Sequence, residues 1–102
     1  MPGIDFAEVR ARVSMREVLR LLSFRPLRGG RNQLRGPCPF ACGPSRRAFV
    51  AYLESRRYYC FCCRRSGNQL ELWAAARQLS IYEAARDLCQ RLHIAVPRVD
   101  HR

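Results

Sequence analysis

The sequence predicts a small α+β domain in which a short antiparallel β-hairpin carries paired cysteine knuckles, flanked by N-terminal and C-terminal helices. Three observations predict it. Two S-x-x-E capping boxes, Ser14 with Glu17 and Ser80 with Glu83, each open a run of helical period. Between them, "RAFVAYL" at 47–53 and "RYYCF" at 57–61 are rich in aromatic and β-favouring residues, and only "ESR" separates them. Five of the six cysteines fall in two clusters at the ends of that hairpin.

The elements follow in chain order. "DFAEVRARV" reads as a short helical turn, and Ser14 then starts a helix through "MREVLRLLSF", giving a helical lead-in over 5–24. Met15, Val18, Leu19, Leu21 and Leu22 form its buried stripe, with Arg16 and Arg20 on the wet side. "RPLRGGRNQLRGP" reads as loop and short strand, interrupted by Pro26, Gly29, Gly30, Gly36 and Pro37. The hairpin and its knuckles occupy 31–66. After Gly67 the period becomes helical, with Leu70, Leu72, Trp73, Ala76 and Leu79 marking a helix across 68–79. The second capping box opens a helix through Leu92, whose buried face is Ile81, Ala84, Ala85, Leu88, Cys89 and Leu92. Residues 1–95 thus make one domain, and 96–102 a tail.

Composition bounds the function. A chain of 102 residues, 48% of them hydrophobic, has a small core that needs an added staple. Its longest apolar runs, such as Leu72–Ala76, are far too short to span a bilayer, so no membrane partner is expected. The start, "MPGIDFAEVR", lacks the basic and apolar regions of a signal peptide, so a cytoplasmic location is expected. In that reducing compartment clustered cysteines read as metal ligands before disulfides. The net charge is +11, and all 19 basic residues are Arg. Four thiolates with one divalent cation lower it only to about +9, which still favours a polyanionic partner. An Arg-only basic set also follows from GC-rich coding, so the charge is more informative than the residue type.

The clusters are "CPFAC", with Cys38 and Cys42, and "CFCC", with Cys60, Cys62 and Cys63. A hairpin brings Cys42, before its first strand, to Cys60, at the end of its second. That is the layout of a zinc ribbon, with two knuckles facing across a tetrahedral Zn²⁺. Cys60 and Cys63 have C-x2-C spacing, whose turn aims both sulfurs at one metal. We therefore assign Cys38, Cys42, Cys60 and Cys63 as ligands of one structural Zn²⁺. Cys62 sits on the crest of the turn, facing outward. Two disulfides are the competing reading, and a redox C-x2-C lacks its usual βαβ surroundings. Cys89 lies on a buried helical face, and His93 and His101 read as surface residues.

These residues resemble a known family, the Cys-His-Cys-Cys zinc finger that forms the zinc-binding domain of bacterial DnaG-type DNA primases. The resemblance rests on "GPCPF", "RRAFVAY", "YYCFCC" and "SGNQLELW". It extends through "REVLRLLSFRPLRGGRNQLRG" upstream and "SIYEAARDLCQRL" downstream, covering about residues 10 to 93. There are two departures. The family's His falls at Ala41, and Cys42 replaces it one residue later. The family's Gly between Phe and the last Cys is Cys62, which predicts mild backbone strain there.

The resemblance implies binding of single-stranded template DNA in primer synthesis during DNA replication, with nucleotide addition performed by a separate Toprim domain. That domain, or a helicase, would lie in another chain or segment. The chain's own eight acidic residues are scattered, and no paired metal-binding carboxylates or phosphate loop appear, so no catalytic residue is assigned. Arg46, Arg47, Arg56, Arg57, Arg64 and Arg65 come in pairs around the hairpin and second knuckle, as phosphate contacts or as solvated surface. The resemblance buries the Phe49 face of the hairpin, leaving Tyr52 and Tyr58 for base stacking, while Tyr59 reads as half-buried packing. The alternative is a zinc-stabilised module that docks to a replication, transposition or topoisomerase partner.

Overall fold

The structure, a computed structural model, describes residues 3–40 and 42–99. Helix α1 (Phe6–Arg12) starts at Asp5, whose carboxylate accepts the Glu8 N–H. Helix α2 (Met15–Leu21) opens on the Ser14–Glu17 capping box, formed in full. Both halves of the box satisfy N–H groups that a helix start leaves unpaired. Five strands follow: β1 (Arg28–Gly29), β2 (Gln33–Gly36), β3 (Phe49–Tyr52), β4 (Arg57–Cys60) and β5 (Ser66–Asn68). They form one antiparallel sheet in sequential order, with the expected hairpin, β3 and β4, inside it. Helix α3 (Gln69–Arg77) and helix α4 (Ile81–Arg91) complete the domain. No described helix is long and apolar enough to cross a membrane.

The register assigns side chains to faces. Gly36, Phe49 and Cys60 form one rung, and Leu34, Ala51, Tyr58 and Gly67 another. Because side chains alternate along a strand, both rungs point to the same side. There they join Met15, Val18, Leu70, Leu72, Trp73 and Leu88 in the main core. Trp73 ties α3 to α4 through a 2.8 Å hydrogen bond from its Nε1 to Asp87 Oδ2. Val50 is fully buried yet lies outside that core, because it points to the other side, between Arg35 and Tyr59.

Three helices end alike. Ser23, Gln78 and His93 each take a left-handed φ of 56–57°. The next residues, Phe24, Leu79 and Ile94, send their N–H back to Leu19, Ala74 and Cys89 at 2.8–3.0 Å and lay their side chains on the core. This is the Schellman closure, made here without glycine. It stops α2 at Leu21, short of the expected extension through Phe24.

Two further expectations change. Ile81 is 38% exposed, because as the first residue of α4 it precedes the turn that packs on the core. The segment read as a tail is tied down where it is described: the Asp5 N–H donates to Pro97 O and the Val99 N–H to Gly3 O. Residues 100–102, with His101, lie outside the described residues.

Gly67 shows how tightly α3 is joined to the sheet. Its φ is +156°, and an added Cβ would sit 2.9 Å from Glu71 Oε1 and 3.0 Å from Glu71 Cβ. That same Glu71 closes the Asn68 capping box. Gly67→Ala should therefore cost about 1–3 kcal/mol in backbone strain alone. Urea unfolding of the variant at matched metal loading measures it.

Candidate metal centre and the open face of the sheet

Cys38 follows β2, Cys60 ends β4, and Cys42 and Cys63 lie in the loops beside them. Pairing of Phe49 with Cys60 brings the two loops to one end of the hairpin. The sulfurs of Cys38, Cys42, Cys60 and Cys63 all lie within 4.8 Å of one another. Two of the spacings are 3.4 Å (Cys42–Cys60) and 4.0 Å (Cys38–Cys63), and no disulfide joins any of the six cysteines. A tetrahedron with Zn–S near 2.3 Å has S–S edges of about 3.8 Å, so the donor set fits such an ion. Backbone N–H groups support it: Phe40 N–H points at the Cys38 sulfur (3.4 Å) and Cys63 N–H at the Cys60 sulfur (3.5 Å).

The protonation of the cluster explains what a cation does there. Burial pushes the Cys38 thiol up to about 12, only partly offset by the Phe40 N–H. Burial also opposes a thiolate at Cys42. The neighbouring Cys62, Cys60 and Cys38 thiols outweigh it, and the Cys42 value falls below the ordinary one. Cys42 is thus favoured as thiolate while Cys38 is held protonated. A divalent cation removes that conflict.

Cys62 is exposed, as expected from the crest of the turn. Its thiol donates to Cys42 O at 3.3 Å, and its sulfur packs over Gly43, where an added Cβ would meet it at 2.9 Å. The expected strain does not fall on Cys62. The left-handed residue of this turn is Arg64, at φ 62°, with its N–H bonded to Cys60 O at 2.8 Å.

The opposite face of the sheet is open. One rung there is Arg28, Arg35, Val50, Tyr59 and Ser66, and the next is Gln33, Tyr52, Arg57 and Asn68. Phe61 continues the line beyond β4, 57% exposed and edge-on to Tyr59 at 4.8 Å between centroids. The Arg35 guanidinium sits 5.4 Å from the Phe61 ring centre and reaches Arg47 O at 3.4 Å. Sequence reasoning missed Arg28, Arg35 and Phe61; the strand register was the signal that would have found them. Tyr59 and Tyr52 are half-buried.

Tyr58 is a correction. It pairs with Ala51, so it faces the core, 3% exposed and stacked on Phe49 at 5.7 Å. Burial raises its phenol above the usual range, and it offers no ring face to a base. The arginine pairs also divide. Arg46, Arg47, Arg64 and Arg65 are exposed near the metal end, with Arg65 capping the Phe40 ring at 4.6 Å. Arg56 and Arg57 lie at the far end of the hairpin, where Arg56 Nη1 turns away to donate to Arg10 O in α1.

Residues 4–102 match the family model of the CHC2 zinc finger, a zinc ribbon named for the DnaG primase. This chain belongs to the CHC2 zinc finger family. A crystal structure of the Aquifex aeolicus primase, comprising its zinc-binding and RNA polymerase domains, has the same fold. The TM-score is 0.74 at 20% sequence identity, and the match covers 97% of this chain and 23% of that one. The comparison with curated proteins found no match.

This CHC2 zinc finger lacks the family's histidine in its first knuckle. Ala41, where the resemblance would place that histidine, lies outside the described residues. Cys42 brings its sulfur into the same cluster as the other three, so a set of four cysteines replaces Cys-His-Cys-Cys. Cys62, in the family's Gly position, keeps a negative φ and joins the knuckles from outside.

Proposed function

We propose that this CHC2 zinc finger holds one structural Zn²⁺ and binds single-stranded template DNA across the open face of its sheet, in primer synthesis. One observation carries the reading: Tyr52, Tyr59 and Phe61 are interleaved on that face with Arg28, Arg35 and Arg57, and Arg47 stands beside Arg35 and Phe61. Single-strand binding combines such aromatic platforms with guanidinium contacts to the backbone. Arg46, Arg64 and Arg65 extend the basic surface around the knuckles. The likeness to a primase structure supports the replicative role. Chain elongation would belong to a Toprim domain elsewhere in the same assembly, with a helicase as a further partner.

Fluorescence anisotropy with single- and double-stranded oligonucleotides across a salt series tests this. Phe61→Ala should weaken single-strand binding by one base stack, about 1–3 kcal/mol, with little change in salt slope. Arg35→Glu with Arg47→Glu should weaken it and flatten the slope by roughly one unit or more per lost phosphate contact. Equal affinity of the wild type for duplex and single strand, or indifference to all three substitutions, would overturn the reading.

A further inference from the structure

A groove of about 660 Å³ lies away from the metal end, between α1, the turn joining β3 to β4, and the starts of α3 and α4. Phe6, Leu70 and the exposed Ile81 give it apolar walls, and Arg10, Arg56 and Arg57 bring three guanidiniums to it. None of the three forms an ion pair among the described residues. The one acid in the lining, Glu71, has its Oε1 committed to the Asn68 N–H at 2.9 Å.

Gln69 supplies the second observation. It lines the same groove at 1% exposure, and its Nε2 donates to Arg10 O and Val13 O, both at 2.8 Å. Two carbonyl partners fix which end of the amide is which. Its Oε1 is therefore an acceptor, buried and without a partner. Buried acceptors of this kind are costly unless something donates to them.

A ligand that satisfies this groove carries an anion for the guanidiniums, a flat apolar body for the walls, and an N–H or O–H for Gln69. We propose that the groove binds a single nucleoside phosphate, with its phosphate on Arg10, Arg56 and Arg57, its base between Phe6 and Ile81, and a donor that meets Gln69 Oε1 as this side chain, shut off from solvent in the empty groove, turns to the ligand. An acidic helix fits less well, because its backbone N–H groups are already spent within the helix. The site adjoins the open face of the sheet, meeting it at Arg57 and Asn68. Its nucleotide is either free or the end of a strand that crosses the sheet beside Tyr52.

Calorimetric titration of the metal-loaded full chain with AMP, CMP, GMP and UMP, against inorganic phosphate, tests the proposal. Saturable binding of at least one nucleotide, tighter than phosphate, is expected. Ala7→Trp, which fills the groove from an exposed position of α1, and Arg10→Gln should each weaken it by roughly tenfold or more. A single-stranded oligonucleotide separates the sources. Oligonucleotide affinity unchanged by Ala7→Trp assigns the groove to a free nucleotide, whereas a parallel loss assigns it to the strand's end. The proposal is overturned if nucleotides bind no better than phosphate, if Ala7→Trp leaves nucleotide binding intact, or if only acidic peptides bind. The sheet-face reading is scored separately, by Phe61→Ala.

Discussion

Stripping the metal with a strong chelator should unfold the sheet. Apparent metal-binding free energies of structural zinc modules are about 10–16 kcal/mol, comparable to or larger than the whole stability of a domain this size. Held together without the cation, the sulfurs of Cys38, Cys42, Cys60 and Cys63 could not share one corner as four thiolates, and burial would keep Cys38 protonated. Circular dichroism during chelation and zinc restoration, with elemental analysis showing one Zn²⁺ per chain, measures this. Cys63→Ser should lose or loosen the metal. Cys62→Gly should keep it, because Cys62 is exposed and lies outside the four-sulfur cluster. Cooperatively folded protein with no bound metal would contradict the assignment.

The pH dependence has two signs. Metal uptake expels thiol protons, so affinity should fall as pH falls. Wherever chain remains folded without metal, the raised Cys38 value contributes stability that is fully present below the ordinary 9.0 and is lost as pH rises towards about 12. Proton release on zinc addition, followed in lightly buffered solution, distinguishes the two.

Trp73→Ala should be the most damaging change away from the metal. Trp73 is 1% exposed, and its indole donates to Asp87, which also pairs with Arg91 at 2.9 Å. Arg77 and Arg91 lie over the ring at 5.5 and 5.3 Å. Truncation leaves a cavity between α3 and α4 and strips both guanidiniums of their aromatic partner. The expected loss is about 3–5 kcal/mol in denaturant unfolding of metal-loaded protein. Trp73→Phe keeps most of the volume and should cost less, isolating the indole hydrogen bond at about 0.5–1.5 kcal/mol.

The four-cysteine cluster was legible because spacing carries it: Cys60 and Cys63 in one turn, Cys38 and Cys42 across a hairpin. Both capping boxes at Ser14 and Ser80 were legible for the same local reason. The outward Cys62 and the buried Cys89 also follow from position alone. Tyr58 was misplaced because "RYYCF" gives its parity only relative to the neighbouring strand, and a one-residue shift exchanges faces. The stops at Ser23, Gln78 and His93 were invisible because no glycine marks them. Arg35 and Phe61 stand 26 positions apart in the chain, so only the sheet could show them as neighbours. The groove is of the same kind, assembled from four elements that share no motif.

Cys60 is both a sulfur donor and the rung partner of Phe49. A metal on that sulfur would act as an indexing pin for the whole sheet. By clamping that rung it would decide which of two adjacent tyrosines is shown to solvent and which is hidden, Tyr59 or Tyr58. An ion remote from the open face would in this way fix the register of the surface proposed to meet bases.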